Sequence, residues 1–132
     1  MQIVNAIDVE DALRIDLSEA LEGVTFYAQP APDDVPANSA CVRSLGGFAA
    51  SPVSHGYDLL IDAWAKTPGS AMALALRIQG AVASLPVRDF ESGRDWKSAE
   101  TGVPYDNPDP NRPLMPRCTF SATVGIRGES TI

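Results

Sequence analysis

The chain has 132 residues, 45% of them hydrophobic, which suits one domain with a real core and excludes global disorder. Ten Lys and Arg stand against seventeen Asp and Glu, a formal charge of −7, and a surface of that sign repels a nucleic-acid backbone. One histidine and two distant cysteines, Cys41 and Cys118, are too few soft ligands for a zinc site.

Both cysteines lie in apolar runs and read as small buried hydrophobes. The start, MQIVNAIDVEDALRI, has acids where a signal peptide needs a basic segment and an unbroken apolar one. No run of about eighteen apolar residues occurs, so no membrane partner is expected. These features predict a protein free in solution and made in a cytoplasm.

Residues 8–22, DVEDALRIDLSEALE, predict the first helix, with Val9, Leu13, Leu17, Ala20 and Leu21 on one face. Asp8 is the N-cap candidate, and Gly23 stands where a left-handed residue ends a helix. Val24–Ala28 predicts a short strand. QPAPDDVPA, residues 29–37, holds three prolines and two aspartates and reads as a loop or a partner-contacting arm. Ser39–Leu45 predicts a second strand with neither face cleanly polar, and Gly46-Gly47 opens a turn or loose hairpin connection.

From His55 to Ala65 the alternation is that of a strand. Tyr57, Leu59, Ile61 and Ala63 take one face; Asp58, Leu60, Asp62 and Trp64 take the other. A solvated face does not usually display Leu60 and Trp64, so a partner or another element is expected to cover part of it. Thr67 then caps a helix whose first residue is Pro68, a position where the missing amide is no loss. That helix runs to about Leu85 with Ala71, Leu74, Ala75, Ile78, Val82 and Leu85 as its core stripe. Arg77 is on its exposed side. Its small residues fit either tight packing within the chain or a subunit contact.

Residues 87–103 predict one or two short strands around a Ser-Gly turn. Residues 104–116 hold five prolines and predict an extended excursion. Arg117–Arg127 is the clearest strand, with Cys118, Phe120, Ala122, Val124 and Ile126 inward. The tail GESTI is expected to fray. The predicted fold is α+β: a mostly antiparallel sheet of four to five strands with two helices packed on one face.

The pattern offers little to catalysis. His55 has no acid placed to orient it and reads as a surface or strand-edge residue. Asp58 and Asp62, on one strand face, are about 13 Å apart at the usual strand rise, too far for one carboxylate dyad or one ion. The aspartates at 33, 34, 106 and 109 lie in proline loops, where aspartate serves turns. No enzymatic activity, cofactor or metal is expected.

Three stretches in order, DVEDALRIDLSEAL, YDLLIDAWAKTPGSAMALALRIQGAVASL and NPDPNRPLMPRCTFSATVGIRG, resemble the small tail terminator proteins of long-tailed bacteriophages, the forms from phages of actinobacteria most closely. Ala63-Trp64-Ala65, the helix from Pro68, Asn107–Pro110 and Arg117–Gly128 carry the resemblance, while residues 87–101 match nothing in it. It implies a virion protein without enzymatic activity: a homo-oligomeric ring, normally a hexamer, at the head-proximal end of the tail. The ring ends tube polymerisation and joins the tail tube protein to the head-completion or connector proteins, and genomic DNA passes its channel without specific binding. Leu60, Asp62, Trp64 and Arg77, with Asp33, Asp34, Pro108, Asp109 and Pro110 in the two proline loops, are the expected contact residues. Another head-tail connector or tail-completion ring of the neck is the alternative. A small ligand- or metal-binding domain using Asp58 and Asp62 is the reading from a different class.

Overall fold

The computed structural model describes residues 3–131. The fold is α+β, with two helices and a mixed open sheet of six strands. In chain order the elements are β1 (Ile3–Asn5), α1 (Val9–Ala20), β2 (Thr25–Ala28), β3 (Ser39–Ala49), β4 (Ser54–Trp64), α2 (Pro68–Ala83), β5 (Trp96–Thr101), β6 (Tyr105–Asp106), β7 (Arg117–Arg127) and β8 (Glu129–Thr131). The sheet order is β2-β3-β4-β7-β5, and β6 also pairs with β7. All neighbours are antiparallel except β2 and β3, which run parallel.

Both helices start where the side chains cap them. Asp8 Oδ1 accepts from the Asp11 amide at 3.2 Å, and Thr67 and Ser70 exchange hydrogen bonds across the first turn of α2, with Pro68 first in the helix. Each answered cap is worth about 1 kcal/mol, since it satisfies an amide no helical carbonyl can reach. The helices bury Val9, Leu13 and Leu17 of α1 and Leu74, Ile78 and Val82 of α2. These pack on the sheet face formed by Val42, Leu59, Ile61, Phe120 and Val124, in one continuous core.

The central strands β4 and β7 match the predicted alternation residue for residue. Four expectations need correction, the first of them the strand count: the sheet has six strands where four to five were expected. The strand from Ser39 continues to Ala49: Leu45 and Gly46 form a bulge opposite Asp58 inside β3 instead of a turn, Gly47 is back in register, and the hairpin turns at residues 50–53. Gly46 takes φ +102°, and a Cβ on Gly47 would strike the Gly56 carbonyl across the hairpin, so glycines serve a close approach here. Residues 129–131, expected to fray, pair with residues 3–5 as a separate two-stranded ribbon; Ile132 lies outside the described residues. His55 is not at a strand edge but on β4, paired with Ala49 on one side and Ile126 on the other. Its Nδ1 is buried and has no hydrogen-bond partner among the described residues. The region 87–103, expected to hold one or two short strands around a Ser-Gly turn, supplies one, β5, after a turn in which Gly93 has φ +79°.

That turn is held by a buried carboxylate. Asp16, on the inner side of α1, accepts from Trp96 Nε1 at 2.9 Å and Ser92 Oγ at 2.8 Å, and pairs with Arg94 at 3.1 Å. Asp16 is 1% exposed, so these partners replace its water entirely. Asp16→Ala leaves the indole N–H and the guanidinium unpaired and should cost about 3–5 kcal/mol, the usual loss when one member of a buried pair is removed. Urea denaturation checks it, and a loss below about 1 kcal/mol would remove Asp16 from this role.

Candidate functional site

The sheet face turned away from the helices, with the loops over one end of it, carries all the expected contact residues except Arg77. β4 sends Asp58, Leu60, Asp62 and Trp64 to this side, β3 sends Cys41 and Arg43, and β7 sends Arg117, Thr119, Ser121 and Thr123. Ser39 and Arg117 flank Trp64 in the pairing register, so Trp64 sits at one end of the sheet. Both proline loops fold back over that end.

Two carboxylates organise the closure. Asp62 pairs with Arg43 at 2.7 Å and accepts from Thr119 Oγ1 at 2.7 Å. Asp109, in the second loop, accepts from Arg112 at 2.8 Å, from the Asn111 amide at 3.0 Å and from Trp64 Nε1 at 3.3 Å; Arg117 lies 3.7 Å away. Arg112 also lies over the Trp64 ring, 5.1 Å from its centroid, and donates to the carbonyls of Ala31 and Pro32 in the first loop. A single guanidinium thus ties the second loop to the first and both to the tryptophan. Val35, Cys41 and Trp64 form a small second core under the loops, with Tyr27, Ala31 and Met115 packed around it.

The contact residues therefore divide. Trp64 is 2% exposed, Asp62 2% and Asp109 4%, all covered by the chain's own loops. The apolar side chain at Trp64 that the sequence left for a partner or another element is met by these loops. Leu60 is half-buried beside Arg43 and Ser121. Asp33, Asp34, Pro108 and Pro110 are exposed on the loops, and Arg77 is exposed on α2, on the other side of the sheet. Asp58 is exposed and accepts from Thr123, so it is separate from the Asp62 cluster, as the strand spacing required.

Sequence reasoning missed the three arginines, Arg43, Arg112 and Arg117, and the exposed apolar residues at the two ends of the sheet. Leu114 in the second loop is 94% exposed, and Leu45 and Phe48 on the β3–β4 hairpin are 60% and 56% exposed. The arginines were legible only as lone cations opposite a formal excess of acid; their partners lie up to 81 residues away.

The electrostatics assign these groups to structure. Burial pushes the Asp109 carboxyl up, but the Arg112 and Asn111 hydrogen bonds, the Arg117 charge and the Trp64 indole together outweigh it and hold the group below its ordinary value. Burial first, then the Asp62 and Glu10 charges, push the Cys41 thiol up to about 11; burial also raises Cys118. Both cysteines are free, buried and, at neutral pH, thiols instead of the thiolate that nucleophilic chemistry needs. Among the described residues no group of three or more His, Cys, Asp or Glu is placed to hold a metal ion, and no helix is long and apolar enough to cross a membrane.

The sign of the Asp109 shift gives a pH test. A depressed carboxylate contributes stability above its ordinary pKa of about 3.9 and loses that contribution as pH falls through its folded value. Acid should thus release the loops and expose Trp64, read as a red shift of tryptophan emission below pH ~4. Asp109→Asn should lower stability by about 1.5–3 kcal/mol, the worth of hydrogen bonds to a charged group, and flatten that acid response. An unchanged acid response in the variant would contradict the assignment. Cys41 should react with a maleimide at neutral pH only as fast as the chain unfolds, and fast reaction in the folded protein would contradict its burial.

No protein-family model matches the chain, and no curated protein matches it.

Proposed function

We propose that the chain is a structural subunit of the bacteriophage neck, a tail terminator that closes into a ring on the head-proximal end of the tail tube. The three stretches that resemble that family fall on α1, on β4 with α2, and on the second loop with β7, so the resemblance covers both helices and the two central strands. The observation that carries the reading is the difference between the two ends of the sheet.

β4 and β7 are each eleven residues long, about 33 Å at the usual strand rise. At one end the clamped proline loops display Asp33, Asp34 and Leu114. At the other, the β3–β4 hairpin projects beyond β2, which pairs only with Ser39–Val42. From Ser44 to Tyr57 there is no Asp, Glu, Lys or Arg, while Leu45 and Phe48 stand exposed. An uncharged apolar strand end is a pairing and docking element, since nothing on it opposes burial. A terminator must grip two different neighbours, the last ring of the tube and the head-completion proteins, and ends of unlike chemistry suit that task. Proline loops lose little entropy on docking, because proline is already restricted. The net charge of −7, repeated around a ring, lets genomic DNA slide through the channel without being held.

Native mass spectrometry with and without cognate tail tubes tests the reading. The expected species is a ring near 84 kDa, six copies of 14.0 kDa, formed alone or on the tubes. A Leu45→Ser/Phe48→Ser or a Leu114→Asp variant should then lose one of the two partners and keep the other. A chain that stays monomeric and ignores tubes would overturn the reading. A ring that binds the head-completion proteins and not the tube would move it to another ring of the neck.

A further inference from the structure

We infer that copies of this chain join through the helical layer, the outer face of α2 on one copy meeting the outer face of α1 on the next. The inference deepens the ring reading and rests on it only for the number of copies; the surface itself is argued from charge.

The charge of the molecule is unevenly spread. From Ala63 to Arg88 there are three basic residues, Lys66, Arg77 and Arg88, and no acidic one. The remaining seven Lys and Arg and all seventeen Asp and Glu lie outside that span. Six of the ten basic residues are neutralised by ion pairs within the chain: Arg14, Arg43, Arg94, Lys97, Arg112 and Arg117. Among the described residues the four without one are Lys66, Arg77, Arg88 and Arg127, so three of the four uncompensated cations flank or occupy α2. Around them the surface is apolar: Leu76 is 49% exposed and Val87, just past the helix, is 86% exposed.

α1 is the complement. Between Asp8 and Glu22 there are six acids and one base, Arg14. Asp16 is buried and paired with Arg94, and Arg14 pairs with Asp11, which leaves the outer face negative. Ile15, 40% exposed, sits on that face with Ser18 and Glu19 at the three- and four-residue steps that place them together, and the exposed Glu22 follows just past the end of the helix. Each face thus carries an exposed aliphatic residue bordered by charge, positive on α2 and negative on α1. In a molecule of charge −7 two copies repel unless they meet where the charges are opposite. Two unlike patches can join reciprocally, as a twofold pair, or head to tail in a series that closes if the rotation permits, and the ring requires the second.

Charge reversal on the full chain tests this. Leu76→Glu/Arg77→Glu and, separately, Ile15→Lys/Glu22→Lys should each give a monomer by native mass spectrometry and light scattering, with circular dichroism matching the unaltered chain. Mixed in equal amounts, the two should reassemble, since each reversed face then meets its new complement. For the unaltered chain, association should weaken at least tenfold between ~50 mM and ~500 mM salt, as screening shortens the reach of the charges. Assemblies that survive both variants, a mixture that stays monomeric, or an unaltered chain that is monomeric at every salt and concentration would overturn the inference. A ring of about 84 kDa insensitive to both variants would keep the ring and reject this surface. A salt-sensitive dimer of about 28 kDa that both variants dissociate would keep the surface and reject the ring.

Discussion

A central strand cannot leave either face bare, and β4 is paired on both edges, so its two faces must be covered from above and below. The helices cover one. The other carries Trp64 and Asp62, and it is closed only because two buried carboxylates each find their arginines. Removing water from Asp62 and Asp109 is costly; the guanidinium of Arg43, and those of Arg112 and Arg117, offset that cost with charge-assisted hydrogen bonds. Everything at this end of the molecule follows. Arg112 can grip the first loop because Asp109 holds it, Trp64 can be buried because its N–H is met, and the loops can present Leu114 because their bases are fixed.

The opposite end obeys a different constraint. β2 stops at Ala28, so β3 runs on without a neighbour on that edge. Glu10 answers the first open amide, accepting from Ser44 N at 2.7 Å, and its other oxygen accepts from Gln29 N at 3.0 Å. One side chain of α1 therefore fixes both the end of β2 and the point where β3 leaves the core. Beyond it the bulge at Leu45 and Gly46 twists the strand, and no charge guards the exposed hairpin. An unguarded apolar edge on an acidic protein is an aggregation hazard unless something covers it, which is why it bears on assembly.

The sequence was most legible where local chemistry and packing agree. The Thr67-Pro68 start of α2, the Asp8 cap of α1 and the alternation of β4 and β7 are fixed by the residues that form them, and the core stripes of both helices were readable at helical spacing. The parallel pairing of β2 with β3 was not, because nothing in four residues of strand records its direction. Gly46-Gly47 was misread because a glycine pair signals a turn as readily as a bulge. Of the site, the unusual face of Leu60 and Trp64 was visible. Its cover was not, since Arg112 lies 48 positions from Trp64 and reaches the first loop across some eighty residues. The acids in the proline loops looked alike, yet Asp109 is a buried keystone and Asp33 and Asp34 are exposed.

Unlike ends on one rigid sheet, with a helical layer between them for self-contact, are the core of the functional proposal. Hydrogen exchange on the chain, alone and then with cognate tail tubes, reads these surfaces most directly. Slowed exchange in either the 44–54 hairpin or the two proline loops, with the other end unchanged until a head-completion protein is added, is the expected result. Equal slowing at both ends with tubes alone, or no change at either, would contradict it.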